Sequence, residues 1–170
     1  KALGDRSVAL GNNTEAQSLG SITVGAGYED PYNPGSLKQT LAVSGYQYNT
    51  AIGAGAQAAG NNSLAIGTLA TSSIKNGGSS VDKAVAIGYS AGVSDDKTIA
   101  IGSDAKSNSK SASAMGDTAQ ALAENALAVG TNAQAEGVSS GAIGTKNRVT
   151  GVNTYVLGSQ NSTVATGTAA

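Results

Sequence analysis

Leu127-Ala128-Val129-Gly130 is one statement of a four-residue phrase that returns at fixed intervals along this chain. Val85-Ala86-Ile87-Gly88, Ile99-Ala100-Ile101-Gly102, Ser113-Ala114-Met115-Gly116, Gly141-Ala142-Ile143-Gly144 and Tyr155-Val156-Leu157-Gly158 repeat it, with successive glycines 14 residues apart. Upstream it occurs at Val8 to Gly11, Ile22-Thr23-Val24-Gly25, Thr50-Ala51-Ile52-Gly53 and Leu64-Ala65-Ile66-Gly67, spaced 14, 28 and 14, then 21 to Gly88. Every interval is a multiple of seven. Repetition this short predicts a solenoid, in which a unit is one coil that cannot bury a face by itself.

Each unit has two parts. A short strand ends in the motif glycine, a tight turn follows, and a second strand of small residues comes next, as in Ala56-Gln57-Ala58, Ala119-Gln120-Ala121 and Ala133-Gln134-Ala135. Turn residues close the coil, as in Gly60-Asn61-Asn62-Ser63 and Gly137-Val138-Ser139-Ser140. Short alternation is the strand signal, and Gly, Asn and Ser clusters are the turn signal. Stacked coils place successive strands in parallel, so ten motif strands make a rod roughly 45–50 Å long. The expectation is an all-β parallel roll occupying 1–170, interrupted by insertions at about 27–49 and 73–83.

Composition agrees with a thin roll. The chain has no Phe, Trp, Cys or His, and its net charge is -1. A globular core without large aromatics reaches native density with difficulty, whereas a narrow coil needs only small fillers. Scattered Lys and Arg make no case for nucleic acid. Without cysteine there is neither a disulfide nor a thiolate metal site. No apolar run is long enough to span a bilayer as a helix, and no leader precedes one. Lys1 enters in mid-pattern, so the chain reads as a stretch of a longer array.

Two places break the rhythm. Tyr28-Glu29-Asp30-Pro31-Tyr32-Asn33-Pro34-Gly35 holds both prolines, and proline is excluded from a central strand. Residues 27–36 should therefore leave the roll, with Leu41-Ala42-Val43-Ser44 resuming it as a degenerate motif strand. Ser73 to Lys83 contains Asn76-Gly77-Gly78-Ser79-Ser80 and reads as a flexible loop. Tyr28, Asp30, Tyr32, Asn33, Leu37, Lys38, Tyr46 and Tyr48 are the candidate partner-binding residues, since tyrosines are enriched among binding anchors. The competing reading has the same tyrosines covering the roll's end or packing between chains.

Alternation also decides what faces out. The residue before each motif glycine is always aliphatic, and the one before that is nearly always Ala. These two positions point to opposite faces. Either the large residues fill the roll, or Ala fills it and a two-wide aliphatic stripe lies outside. The small second strand and the narrow coil favour Ala inside. The stripe then comprises Leu10, Val24, Ile52, Leu64, Ile66, Val85, Ile87, Ile99, Ile101, Met115, Leu127, Val129, Ile143 and Leu157. Its area is on the order of 400–500 Å² at strand spacing, more than a soluble monomer ordinarily leaves in water. Burying each aliphatic is worth about 1.5–3 kcal/mol. Identical chains around a rotation axis are the natural cover, two or three in number.

Ser63-Leu64-Ala65-Ile66-Gly67 and Asn125-Ala126-Leu127-Ala128-Val129-Gly130, on a 14-residue period, resemble the YadA-like head repeats of trimeric autotransporter adhesins. The likeness spans nearly everything outside the two insertions, and ten copies make it specific. It implies a left-handed parallel β-roll that is homotrimeric, displayed on the cell surface from a Gram-negative outer membrane. Implied partners are collagen, fibronectin, laminin, an immunoglobulin-like or other host cell-surface receptor, or further copies of the chain. A neck, a coiled-coil stalk and a membrane barrel are missing from these residues. The membrane anchor is therefore expected outside this fragment, and trimerisation here rests on the stripe.

Other chemistries fit less well. Hexapeptide-repeat acyltransferases are also solenoids, but they repeat every six residues and typically use a histidine base. Calcium-binding rolls need a Gly-Gly-x-Gly-x-Asp pattern, which is absent. Asp95-Asp96 reads as a solvated turn rather than a metal site, and Gly53-Ala54-Gly55 lacks the lysine and helix of a nucleotide loop. No cofactor and no catalytic residue is expected. A host-attachment head is the leading functional reading, ahead of a spacer or self-association module and of a β-solenoid enzyme.

Overall fold

The structure, a computed structural model, describes residues 1–72 and 81–163. They form two parallel sheets of ten strands each and one two-stranded hairpin, with no helix among them. The first sheet is built from the motif strands, running from Val8–Leu10 to Tyr155–Leu157 in coil order. The second contains the small-residue strands, from Thr14–Ala16 to Ser162–Thr163.

Neighbouring coils pair in the register that the glycine spacing demands: Ile87 beside Ile101, Ala100 beside Ala114, Gln120 beside Gln134. Each coil donates from its motif glycine to the coil before, as in Gly102 N to Ile87 O and Gly116 N to Ile101 O, both 2.8 Å. The two sheets lie close enough that alanine fills the space between them. Ala86, Ala100, Ala114, Ala128 and Ala142 point inward from the motif strands and are fully buried. Ala121, Ala135 and Val149 meet them from the second sheet. Some polar residues of this interior satisfy turn carbonyls, whereas Ser107 Oγ and Ser140 Oγ are buried without a partner among the described residues. Thr40 Oγ1 donates to Ala26 O and Gly53 O at 2.7 Å, and Asn147 Nδ2 to Ile143 O at 2.7 Å and Gly158 O at 2.8 Å.

The turns require left-handed residues, and asparagine tolerates that conformation better than most. Asn62, Asn125, Asn132 and Asn153 take it with φ of 52–57°. One return turn is held by a ladder of side chains. Asn61 Oδ1 accepts from Gln47 N at 3.0 Å, Asp82 Oδ1 from Asn61 N at 2.8 Å, and Asp96 Oδ1 from Asp82 N at 2.9 Å. Asp96 thus serves as a cap on the neighbouring turn.

Leu41-Ala42-Val43-Ser44 is not a motif strand. Thr40–Ala42 belongs to the second sheet, between Thr14–Ala16 and Gln57–Ala58. The motif strand Ile22–Val24 pairs directly with Thr50–Ile52. The 28-residue interval is therefore one enlarged coil rather than two. The chain leaves after the motif glycine as a hairpin, Tyr28–Glu29 antiparallel to Leu37–Lys38, and returns in time for Ala42 to be wholly buried. Much of 39–49 thus lies within the coil. Of the second insertion, 73–80 fall outside the described residues. Val81 is already buried in the roll, and Lys83 N donates to Asn61 O at 2.9 Å.

Candidate binding and assembly surfaces

The aliphatic stripe faces outward over its whole length. In the repeat Ile99–Ile101 the burial pattern shows the rule: Ala100 has no exposure, whereas Ile101 is 39% exposed. Parallel register stacks the outward residues into two rows, Ile52, Ile66, Ile87, Ile101, Met115 and Val129 forming the centre of one. Leu10 and Leu157, at its ends, are more exposed still. The companion row carries Leu64, Val85, Ile99 and Leu127 and is interrupted by Thr50, Ser113 and Gly141. The ring of Tyr155, one coil further on, lies over Gly141 and closes that last gap. Side chains on these rows make no contribution to the roll's own interior, so the rows are a surface in search of a cover.

The hairpin gathers six of the eight tyrosine-insertion candidates. Tyr28 and Lys38 sit opposite each other, as do Glu29 and Leu37. The tip is tied by Asp30 Oδ1 accepting from Tyr32 N at 2.9 Å and by Glu29 Oε1 accepting from Gly35 N at 3.1 Å. Asn33 lies in that turn, its N–H donating to Asp30 O at 3.0 Å. The hairpin's base rests on the roll. A Cβ on Gly55 would lie 2.8 Å from the Tyr28 Cβ and 3.1 Å from Leu69 Cδ2, and one on Gly27 would lie 2.7 Å from Leu37 Cδ1. Glycines therefore make the seat. Tyr32 projects from the tip almost fully exposed, at 96%.

The Tyr28 phenol is held above its ordinary pKa range, first by loss of water against the roll, then by the Tyr89 phenol and the Asp30 carboxylate beside it. Tyr89 therefore belongs to the hairpin surface, together with Leu69, although neither was singled out by the sequence. An aromatic directly after a motif glycine was the available signal. Tyr46 and Tyr48 do not join this group. Both lie in the return turn at the opposite edge of the roll, where the Tyr48 ring covers Gly20 and its N–H donates to Leu19 O at 2.9 Å. Nearness in sequence placed them with the prolines, but a coil separates its two turns by the width of a sheet.

The outer face of the second sheet is flat and polar, with Gln57, Gln120 and Gln134 half-buried along one row. Arg148 and Glu136 form a two-bond ion pair across it at 2.8 and 2.9 Å, which raises the Arg148 pKa. An exposed pair of this kind adds little stability. Among the described residues no group of three or more acidic side chains could hold a metal ion.

Stacked parallel coils, an alanine interior and outward aliphatic rows define a repeat-built β-solenoid. A family model described as the YadA head domain repeat (2 copies) matches residues 1–27, 50–70, 82–105, 107–133 and 123–147. The chain belongs to this family, whose head domains are parts of trimeric autotransporter adhesins anchored in the outer membrane. The unmatched stretches take in the hairpin and 73–80, the two places where the repeat is enlarged. A search of curated proteins found no match.

Proposed function

We propose that this chain is the head of a homotrimeric adhesin exposed on a Gram-negative outer membrane. It attaches to host cells or extracellular matrix, and its partner is a matrix protein or a host cell-surface receptor. The observation that carries the assembly is the uncovered aliphatic face. Three identical faces turned to one axis remove it from water, and the family to which the chain belongs supports that number. Light scattering on the purified chain should give three times the chain mass; a monodisperse monomer would overturn the assembly.

The hairpin is the favoured attachment element. It presents Tyr32 and Asn33 on a tip tied by its own carboxylates, with Tyr28 and Tyr89 behind them. Deleting 28–39 joins Gly27 to Thr40 as Gly55 joins Ala56 in the following coil, so the shortened coil should fold. Binding to an array of matrix proteins and receptors should drop about tenfold or more, the size expected for losing a central aromatic anchor. Unchanged binding removes the hairpin as the site.

The flat polar second sheet supports a second reading, in which heads associate with one another and the module acts as a spacer or clumping surface. Adherence to no host protein, together with self-clumping, would select it. Family and roll point to an adhesin rather than an enzyme.

A further inference from the structure

The outward row of the second sheet carries one side chain per coil, and Gly92 leaves a gap in it. Thr71 precedes it and Lys106 follows it in strict register, with Gln57, Gln120 and Gln134 further along. Nothing in the backbone asks for glycine here. Its φ lies outside the left-handed region, and among the described residues an added Cβ would meet only Thr71 Oγ1, at an ordinary 3.7 Å. Glycine weakens a strand, so one that no bulge, strain or crowding explains marks a place where something approaches the backbone.

The gap is a notch of about 350 Å³ walled by Thr71, Ser90, Ser94, Lys106 and Asn108. Among the described residues its wall offers three hydroxyls, one amide and one ammonium beside Gly92 and Val93, with no aromatic ring and no carboxylate. Ser94 Oγ donates to Asn108 Oδ1 at 3.1 Å, so the amide nitrogen of the exposed Asn108 side chain is the group left to donate. Lys106 forms no ion pair among the described residues. A ligand with several hydroxyls and one anionic group complements that set, because hydroxyls both give and accept while the ammonium only gives. The depression is open to solvent and has room for a single ring rather than for a folded partner.

We propose that the Gly92 notch binds an acidic sugar unit, its carboxylate on Lys106 and its hydroxyls on Thr71, Ser90, Ser94 and Asn108. Ser90 follows Tyr89 in the chain, so the notch adjoins the hairpin's seat without including the hairpin. Loss or survival of binding in the 28–39 deletion therefore does not decide this site.

Saturation-transfer NMR on the full 170-residue chain tests it. The probes are the methyl glycosides of N-acetylneuraminic acid and glucuronic acid, with methyl galactoside as the neutral control. Transfer is expected to at least one acidic probe and not to the galactoside. Gly92→Gln installs the residue already present in this row at 57, 120 and 134, and should abolish the signal while leaving the thermal midpoint at or above the wild-type value. Lys106→Gln should weaken binding about tenfold or more, the loss expected for a charge-assisted contact. Arg148→Gln, on the same sheet, should change nothing. Equal transfer to the galactoside, a signal that survives Gly92→Gln, or silence with every probe overturns the proposal. Displacement of the sugar by a tighter-binding glutamate peptide also overturns it, in favour of a protein ligand.

Discussion

Replacing Ile87 and Ile101 together with aspartate is expected to reduce the proposed trimer to a single chain, with the roll intact. Both side chains leave the motif sheet on its outer face, in register with each other. Behind them, Ala86 and Ala100 already fill the interior. A carboxylate at either position therefore stays hydrated in the single chain and disturbs no packing. In a trimer the same substitutions bring six carboxylates to one apolar axis. Each would lose water without gaining a partner, at an effective cost of several kcal/mol per ion, and each replaced aliphatic forfeits about 1.5–3 kcal/mol of burial. Light scattering should report one chain mass, and far-ultraviolet circular dichroism should still report the parallel sheets. The double variant Ile87→Val, Ile101→Val keeps the rows apolar and should remain trimeric. An aspartate variant with wild-type mass would show that these rows are not the interface, whatever the chain's stoichiometry.

The stripe was legible in the sequence because a period of 14 meets a strand alternation of two. Once the glycines are aligned, Ile87, Ile101 and Met115 can only form one row and Ala86, Ala100 and Ala114 the opposite one. Coil width then decides the direction, since a space closed by Ala121 and Ala135 has no room for isoleucine. The enlarged coil was misread for the converse reason. Leu41-Ala42-Val43 imitates the motif phrase, but what fixes a strand's sheet is its partner, and Ala42 pairs with Ala16 and Ala58. Local spelling carries no information about that pairing. Tyr46 and Tyr48 were grouped with the prolines on chain proximity, whereas a solenoid brings together residues one coil apart. The hairpin, whose Tyr28 lies over Gly55 of the next coil, also reaches Tyr89, beyond Gly53, Gly67 and Gly88 in the chain. Gly92 was hidden by abundance: among 24 glycines, one without a conformational reason cannot be told from the rest until a Cβ is placed on it.

Gly116→Ala is expected to damage the roll strongly, although it adds one methyl group. Gly116 has φ of +134°, and a Cβ there would stand 2.6 Å from the carbonyl oxygen and 2.7 Å from the carbonyl carbon of Gly130 in the next coil. The neighbour is backbone, held on both sides by strand pairing, so it cannot rotate away. Backbone forced into a region that side chains avoid costs about 1–3 kcal/mol, and overpacking adds about 1–3 kcal/mol. A total of about 2–6 kcal/mol should lower the thermal midpoint by about 4–24 °C for a chain of this length. Ser111→Gly is the matched control, because Ser111 already holds φ of +58° in an open turn. Glycine accepts that conformation freely, and the change should stay within about 1 kcal/mol. Each coil touches only its neighbours, so the damage should also be local at first. Amide exchange in the Gly116 variant should rise through the coils from Ile99 to Ile143, while Ala51 and Ala65 remain protected. If Gly116→Ala melts within about 2 °C of the parent, less than the shift of a single kcal/mol, the coils are not stacked as tightly as the glycine column requires. The narrow alanine core, and with it the outward stripe, would then lose their physical basis.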